Sequence, residues 1–305
     1  MSAGSGKFFL TLITVSISFA AFSLGAAHLR SDPADTMHLE GIQTMIGNGQ
    51  YIRAEQLLEE AIRRDCKEAC YYMGMLHARK GGKSKAVFYF KKGAALNDAN
   101  SEFKLAQLYS LGWGVPKDKA RAFAMFKKIS DRFGYAEAML ETGRMLLTGE
   151  GTAVNRSEAV RYLKQISAPG SSKVLPAAQY LLGSYYLEEA EMTGDTDRQK
   201  EFFGKGLQLL RLAGSGKVSE AWITLGNIYY NGKFDLESDR EKARLCFYAA
   251  VAIDGSPKAQ YQLGVIAMEN REPEEAHRWM QLASRQRNSD NGLLAVTTFC
   301  QVSRS

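Results

Sequence analysis

Proline, histidine and cysteine are all scarce in this chain. There are six prolines in 305 residues, and because proline breaks helix interiors, this scarcity leaves long stretches free to be helical. The four histidines, His28, His38, His77 and His277, lie far apart, and none belongs to an H-E-x-x-H pattern. The sequence therefore predicts no metal site of the zinc-protease kind.

Catalytic signatures are also missing. No G-x-S-x-G elbow of a serine hydrolase occurs. Residues 81–84 (GGKS) resemble the end of a phosphate-binding loop, but His77 stands where the first glycine belongs, and the segment lies between two predicted helices. Acidic residues are abundant, yet nothing fixes two of them as an acid–base pair. We therefore predict that the chain is not an enzyme and needs no cofactor, with an enzyme built on a helical scaffold as the remaining alternative.

A strong charge of one sign is absent as well. The net charge is +6, from 39 basic and 33 acidic residues, and the basic residues are spread along the chain rather than clustered. Nucleic-acid binding needs a clustered basic stripe, so no nucleic-acid partner is expected. The hydrophobic content of 45% is that of a folded protein and argues against wholesale disorder.

One long uncharged run stands near the N-terminus. Residues 8–27 (FFLTLITVSISFAAFSLGAA) follow Lys7 and contain no charge, which is typical of a signal peptide or of a membrane anchor of minimal length. The closing Gly-Ala-Ala suits signal-peptidase cleavage, whereas the length of the run suits an uncleaved anchor. We predict a signal peptide or anchor over 1–27 and a linker over 28–36. The rest of the chain is then periplasmic or secreted, or is held at the inner membrane by this segment alone.

The strongest pattern in the sequence is a repeat. A motif of the form A-x-x-x-L-G-x-x-Y occurs six times, with its central small residue at Gly74, Ala106, Gly143, Gly183, Gly226 and Gly264. A second motif, a small residue followed after two positions by two bulky apolar ones, begins at Ala54, Ala86, Ala122, Ala159, Gly206, Ala243 and Ala276. Both motifs have the three-to-four-residue spacing of a helix. Each unit of about 40 residues is therefore predicted to be a helix A, a turn and a helix B.

These units predict an all-α fold, an α/α superhelix (solenoid) of about seven helix-pair repeats. Residues 37–65 form a degenerate first pair, residues 66–287 the main repeats, and residues 288–305 a capping tail. The two longest departures from the period, 168–174 and 188–197, are predicted to be surface loops.

The central small residues indicate close helix packing. Glycine in the middle of a helix costs roughly 1 kcal/mol relative to alanine, yet five of the six central residues are glycine. A cost that recurs at one register indicates a packing requirement. We expect the two helices of a pair to approach closely there, with a bulky side chain filling the space opposite.

The two motifs, with a G-x-G-[VT] turn between them at 112–115 and 149–152, resemble the Sel-one-like repeat family, a relative of the tetratricopeptide repeats. The resemblance implies a scaffold or adaptor that binds other proteins. The chain departs from the family pattern at His77 and Ala267, where tyrosine is usual, and in the fourth unit, whose second helix is predicted to begin at Gly206.

One face of each helix A is the predicted binding surface. In each helix A, the residues five before, one before and three after the small residue are expected to be buried against helix B. Helix A then turns another face away from this seam between helix A and helix B. In related repeats this face lines a concave groove, and its mixture of aromatic and polar groups suits capture of a protein partner. We name this surface the helix-A stripe. It comprises Tyr71, Phe103, Gln107, Arg144, Tyr180, Asn227, Tyr230 and Tyr261.

The predicted function is that of an exported, non-catalytic scaffold or adaptor whose partner is another protein. A membrane-tethered regulatory or sensor subunit of an envelope complex is the alternative.

The four cysteines suggest disulfides, since an even number occurs in a chain predicted to be exported. Cys66 and Cys70 are near neighbours, although a regular helix would strain a bond between them. Cys300 lies in the tail, from which it could reach Cys246. Three pairings are possible, and 66–70 with 246–300 is the preferred one. A lone C-x-x-x-C without histidine partners does not predict a metal site.

Overall fold

The computed structural model describes residues 41–166 and 173–285. Within these ranges the chain is helical throughout, apart from turns and one isolated antiparallel bridge between Lys233 and Leu236. A helical segment at 41–47 precedes the first complete helix, α1 (Tyr51–Arg63). The A helices that follow are α2 (Lys67–Arg79), α4 (Ala99–Leu111), α6 (Ala136–Thr148), α8 (Leu175–Met192), α10 (Ser219–Asn231) and α12 (Pro257–Glu269). The B helices are α3 (Lys83–Ala95), α5 (Lys119–Phe133), α7 (Arg156–Ile166), α9 (Thr196–Ser215), α11 (Arg240–Asp254) and α13 (Pro273–Arg285).

The helices stack as consecutive antiparallel pairs. Each helix packs on the next along the chain, and the contact is most extensive within an A–B pair. Successive units share their buried side chains, so that one cluster runs from Ala86 to Met145 and another from Leu187 to Ile266. Each unit therefore completes its core only against its neighbours, as in other solenoids. This arrangement confirms the predicted α/α superhelix.

The close approach predicted at the central small residues is present. A Cβ built on Gly226 would lie 2.6 Å from the ring of Phe247, and one on Gly74 would lie 2.6 Å from the ring of Phe90. At Gly143 the nearest side chain is Leu163, at 2.8 Å. In each pair the bulky partner is the last residue of the second motif. The two motifs are thus the two halves of one contact, made once in each pair.

Helix ends are set by acidic caps and by glycine turns. Asp98, Asp118 and Asp239 each accept a backbone N–H from the first turn of α4, α5 and α11, respectively, which satisfies an otherwise unpaired donor. In the G-x-G turn before α7, Gly151 has φ +72°, and a Cβ there would lie 2.2 Å from the carbonyl oxygen of Lys119. Only glycine fits this position, because both the backbone conformation and the space exclude a side chain.

The fourth unit differs from its prediction. Residues 188–192 continue α8 as helix, and α9 begins at Thr196, so the predicted loop over 188–197 shrinks to a short turn and helix B starts well before Gly206. The side chain of Asp195 accepts two backbone N–H groups and fixes the start of α9. The insertion therefore lengthens both helices of the pair. The other predicted loop, 168–174, and the tail 288–305 lie largely or wholly outside the described residues.

Candidate functional site

The register predicted for helix A is found in the structure, as α10 illustrates. Ala221, Leu225 and Tyr229, which lie five before, one before and three after Gly226, are buried. Ile223 and the other side chains turned away from the seam are half-buried. The small residue itself is buried between them. The helix-A stripe is therefore a face separate from the A–B seam.

Most of the helix-A stripe is partly open to solvent. Seven of its eight members are half-buried: Tyr71, Gln107, Arg144, Tyr180, Asn227, Tyr230 and Tyr261. Phe103 is the exception, since it is 7% exposed and its ring packs 5.4 Å from that of Phe126 and 5.3 Å from that of Tyr135. Phe103 is therefore a core residue that joins two units, and its ring is buried rather than accessible to a partner as predicted.

The outer faces of the B helices contrast with the helix-A stripe. Phe88 on α3 is 59% exposed and Leu245 on α11 is 65% exposed. The helix-A side presents larger aromatic side chains at lower exposure. The stack thus has two chemically and geometrically different faces.

Tyrosine side chains from α2 and from the start of α6 lie beside the first A helices. The centre of the Tyr71 ring lies 5.2 Å from that of Tyr72 and 6.2 Å from that of Phe90. Burial raises the pKa of Tyr71 and of Tyr135 well above the usual range of tyrosine. The hydroxyl of Tyr135 donates to Asn100 Oδ1 at 2.8 Å. These phenols remain neutral donors at any physiological pH.

Lys104 lies beside this group and was missed at the sequence level. It stands on α4, two residues before Ala106, and is half-buried. Its Nζ donates to Gln107 Oε1 at 3.0 Å. Burial lowers the pKa of Lys104, and the attraction of Glu137 opposes that shift. The predicted stripe takes the positions six and three before, and one and four after, the small residue, so it omits a residue two before it.

Arg144 is held by two carboxylates. Its guanidinium lies 3.0 Å from Glu141 and 3.2 Å from Glu150, and Glu150 also pairs with Lys119 at 3.3 Å. Burial alone would lower the pKa of Arg144, but these two carboxylates raise it above its usual value. The charge of Arg144 is therefore neutralised within the fold.

Tyr230 has a structural as well as a surface position. The guanidinium of Arg240 lies 3.6 Å from the centre of its ring, and its hydroxyl donates to Glu269. Arg240 also pairs with Glu269 at 3.2 Å. Tyr230 thus connects α10, α11 and α12. Tyr180 and Tyr261 pack against the neighbouring hydrophobic clusters.

The predicted disulfide between Cys66 and Cys70 is wrong. Cys66 precedes α2 and its thiol contacts Glu68 at 3.6 Å, whereas Cys70 is a buried thiol within the helix that faces α3. Cys246 is buried on α11, and burial raises the pKa of its thiol to about 11. Its predicted partner, Cys300, lies outside the described residues, so that pairing stays a prediction.

Neither a metal-binding cluster nor a membrane-spanning helix is present in the described ranges. Among these residues no group of three or more His, Cys, Asp or Glu side chains is placed to hold a metal ion. No helix in the described part of the chain is long and apolar enough to cross a membrane. The uncharged run at 8–27 lies outside these ranges.

Comparison with known families gives one repeated match. The model of the Sel1 repeat matches six times, at residues 67–98, 99–132, 136–168, 176–215, 224–252 and 257–288. Together these matches span well over half of the chain. The matched segments follow the six A–B pairs of the structure.

Solved structures share the fold. A Sel1 repeat protein from Oxalobacter formigenes superposes with a TM-score of 0.66 at 23% identity, covering 81% of this chain and 98% of that one. The protein c5321, a protective antigen present in uropathogenic Escherichia coli strains, superposes with a TM-score of 0.62 at 21% identity. That match covers 80% of this chain and 52% of the antigen. At these identities the likeness concerns the fold alone.

Proposed function

Because the chain belongs to the Sel1 repeat family, whose repeats form a scaffold typical of protein–protein interaction, we propose that it is an exported, non-catalytic adaptor. In this proposal the helix-A stripe is the concave surface that binds a protein partner. The single observation that carries the proposal is the contrast between the half-buried aromatic helix-A stripe and the exposed outer faces of the B helices.

The contrast has a geometric cause. In a curved stack of helix pairs, side chains on the inner face are flanked by neighbours from both adjacent units, whereas those on the outer face diverge into solvent. Large aromatic side chains that are half-buried but still accessible supply contact area at a low cost in conformational entropy. Tyr180 and Tyr261 have this character, since each packs on its own cluster along one side.

The non-catalytic part of the proposal rests on how the charges are used. Glu141 and Glu150, the acidic residues beside the helix-A stripe on α6 and in the turn after it, are both engaged by Arg144. Burial alone would raise the pKa of Glu150, but its pairs with Arg144 and Lys119 lower it, whereas a general acid needs a raised pKa.

Export is proposed from the uncharged run at residues 8–27, which follows Lys7. The length of this run favours a second candidate, in which the segment is retained and the repeats form a tethered regulatory subunit of an envelope complex. The two candidates use the same binding surface and differ in the N-terminal peptide of the mature protein.

The test is affinity purification of the tagged full-length chain from its native membranes. The Tyr180→Ala/Tyr261→Ala variant is compared with the outer-face control Phe88→Ala/Leu245→Ala. We expect a stable partner to co-purify with the wild type and the control but not with the tyrosine variant, while all three chains show the same helical circular dichroism. Equal recovery of the partner by both variants would refute the assignment of the binding surface. The N-terminal peptide, read by mass spectrometry, decides between cleavage and tethering.

A further inference from the structure

Charge is distributed unevenly along the inner positions of the A helices. We consider the three positions that lie three before, two before and one after each small residue. On α8, α10 and α12 none of these positions is charged: they are Tyr180, Leu181, Ser184, Ile223, Thr224, Asn227, Tyr261, Gln262 and Val265. On α2, α4 and α6 the charged members are Lys104, Glu141 and Arg144. At these positions the later units therefore offer an uncharged surface of aromatic, aliphatic and polar side chains, whereas the charged residues all lie in the earlier units.

Two of these three charges cancel. Arg144 and Glu141 are joined at 3.0 Å, and Arg144 also pairs with Glu150. Lys104 differs, because no ion pair within residues 41–166 and 173–285 includes it. Its Nζ donates to the neutral oxygen of Gln107 at 3.0 Å, and Glu137 acts on it only at longer range.

Lys104 is therefore a partly dehydrated cation without a contacting counter-charge. Withdrawing an ammonium group from water is unfavourable unless hydrogen bonds and an opposite charge replace the lost hydration. The fold supplies one hydrogen-bond acceptor, Gln107, while an ammonium group carries three donors. A carboxylate from outside would supply both an acceptor and the opposite charge, in a charge-assisted hydrogen bond.

We propose that the partner presents an acidic segment, in which an Asp or Glu side chain binds Lys104 Nζ and apolar side chains farther along the segment lie on Tyr180 and Tyr261. The inference rests on the proposed function, because it takes the helix-A stripe as the binding surface. It also gives the bound segment a direction, with its acidic residue toward α4 and its apolar residues toward α12.

The probe is a random peptide display library selected on the full-length chain in detergent micelles. Peptides that bind wild type should be enriched in Asp or Glu toward one end and in aromatic and aliphatic residues toward the other. A synthetic copy of one enriched peptide should bind Lys104→Met roughly ten- to a hundredfold more weakly, as expected for the loss of one charge-assisted hydrogen bond. The matched control is Lys91→Met, which removes an exposed lysine of α3 and should leave the affinity unchanged.

Variants of the peptide identify the source of the carboxylate. Replacing its Glu by Gln should weaken binding to wild type as much as Lys104→Met does, and should cost nothing further on Lys104→Met. Amidation of the peptide C-terminus should have no effect. If amidation rather than Glu→Gln abolishes binding, the bound group is a terminal carboxylate, and the inference of an acidic side chain is overturned.

The remaining outcomes separate this inference from the proposed function. Peptides that lack acidic residues, depend on Tyr180 and Tyr261 and ignore Lys104→Met would overturn the acidic-segment inference while leaving the binding surface in place. A selection that yields no peptide dependent on the helix-A stripe would overturn both. Circular dichroism of each variant at 25 °C checks that lost binding does not reflect unfolding.

Discussion

The close contact between α10 and α11 gives a quantitative prediction for Gly226→Ala. A Cβ at this position would lie 2.6 Å from Phe247 Cε1 and 2.9 Å from the next two ring atoms, whereas carbon atoms in contact are normally about 3.5–4.0 Å apart. Phe247 is fully buried, so its ring has no free space into which it can move. Overpacking of this kind costs about 1–3 kcal/mol, and the gain in helix propensity from Gly to Ala offsets about 1 kcal/mol of it.

The matched control is Gly204→Ala. Gly204 lies in the interior of α9, is exposed, and has no atom within 4 Å of a built Cβ. Both substitutions contribute the same propensity gain, so the difference between their free energies of unfolding isolates the overpacking, about 1–3 kcal/mol. Gly204→Ala should raise the stability by about 1 kcal/mol, while Gly226→Ala should lower it or leave it unchanged.

Urea denaturation followed by circular dichroism at 222 nm measures both variants. Adding Phe247→Leu to Gly226→Ala should recover part of the loss, and the double-mutant cycle should give a favourable coupling between the two positions. The packing argument would be refuted if Gly226→Ala stabilised the chain as much as Gly204→Ala does.

Three further predictions concern a cap, a buried histidine and a turn. Asp98→Ala should lower the stability by about 1 kcal/mol, because the cap of α4 is lost. Asp98→Asn should be as stable as wild type, because the amide oxygen still accepts the backbone N–H and burial already raises the pKa of Asp98. Equal losses of unfolding free energy in Asp98→Ala and Asp98→Asn, measured by urea denaturation, would contradict this. Wild type should lose thermal stability as the pH falls below 6.5, because burial holds the pKa of His77 below that value in the folded state while the imidazole of the unfolded chain takes up a proton. If His77→Phe shows the same dependence of melting temperature on pH as wild type, the prediction is contradicted. Gly151→Ala should cost about 2 kcal/mol or more, since its Cβ would meet the backbone oxygen of Lys119; an unchanged melting temperature would show that the turn can relax.

The repeat register could be predicted from sequence because one requirement recurs in every pair. Each close approach needs a small residue on helix A and a bulky one on helix B, as at Gly226 and Phe247, and both halves of the contact recur as motifs. Packing requirements of this kind can be recognised as repeated motifs in a single amino-acid sequence. The order of the helices follows from the alternation of the two motifs.

Other features depend on neighbours that a motif does not describe. The burial of Phe103 comes from Tyr135, which belongs to the following unit. Residues 188–197 are predicted to be a loop because they depart from the repeat period, although Asp195 acts there as a helix cap and the insertion extends both helices. Lys104 could not be predicted from the sequence, because its distinguishing feature is that no carboxylate contacts its Nζ in the described structure. The spacing of residues along the chain does not reveal such a feature.

The central claim is that the helix-A stripe, and not the outer face, binds the partner. Site-specific photo-crosslinking tests it most directly, with a photoreactive phenylalanine analogue placed either at Tyr180 or at Phe88. Both sites carry an aromatic residue in wild type, Tyr180 on the helix-A stripe and Phe88 on the exposed face of a helix B, so the two variants are matched. We predict that, in native membranes, position 180 forms a crosslinked adduct with the partner and position 88 does not. Adducts from position 88 alone would contradict the account.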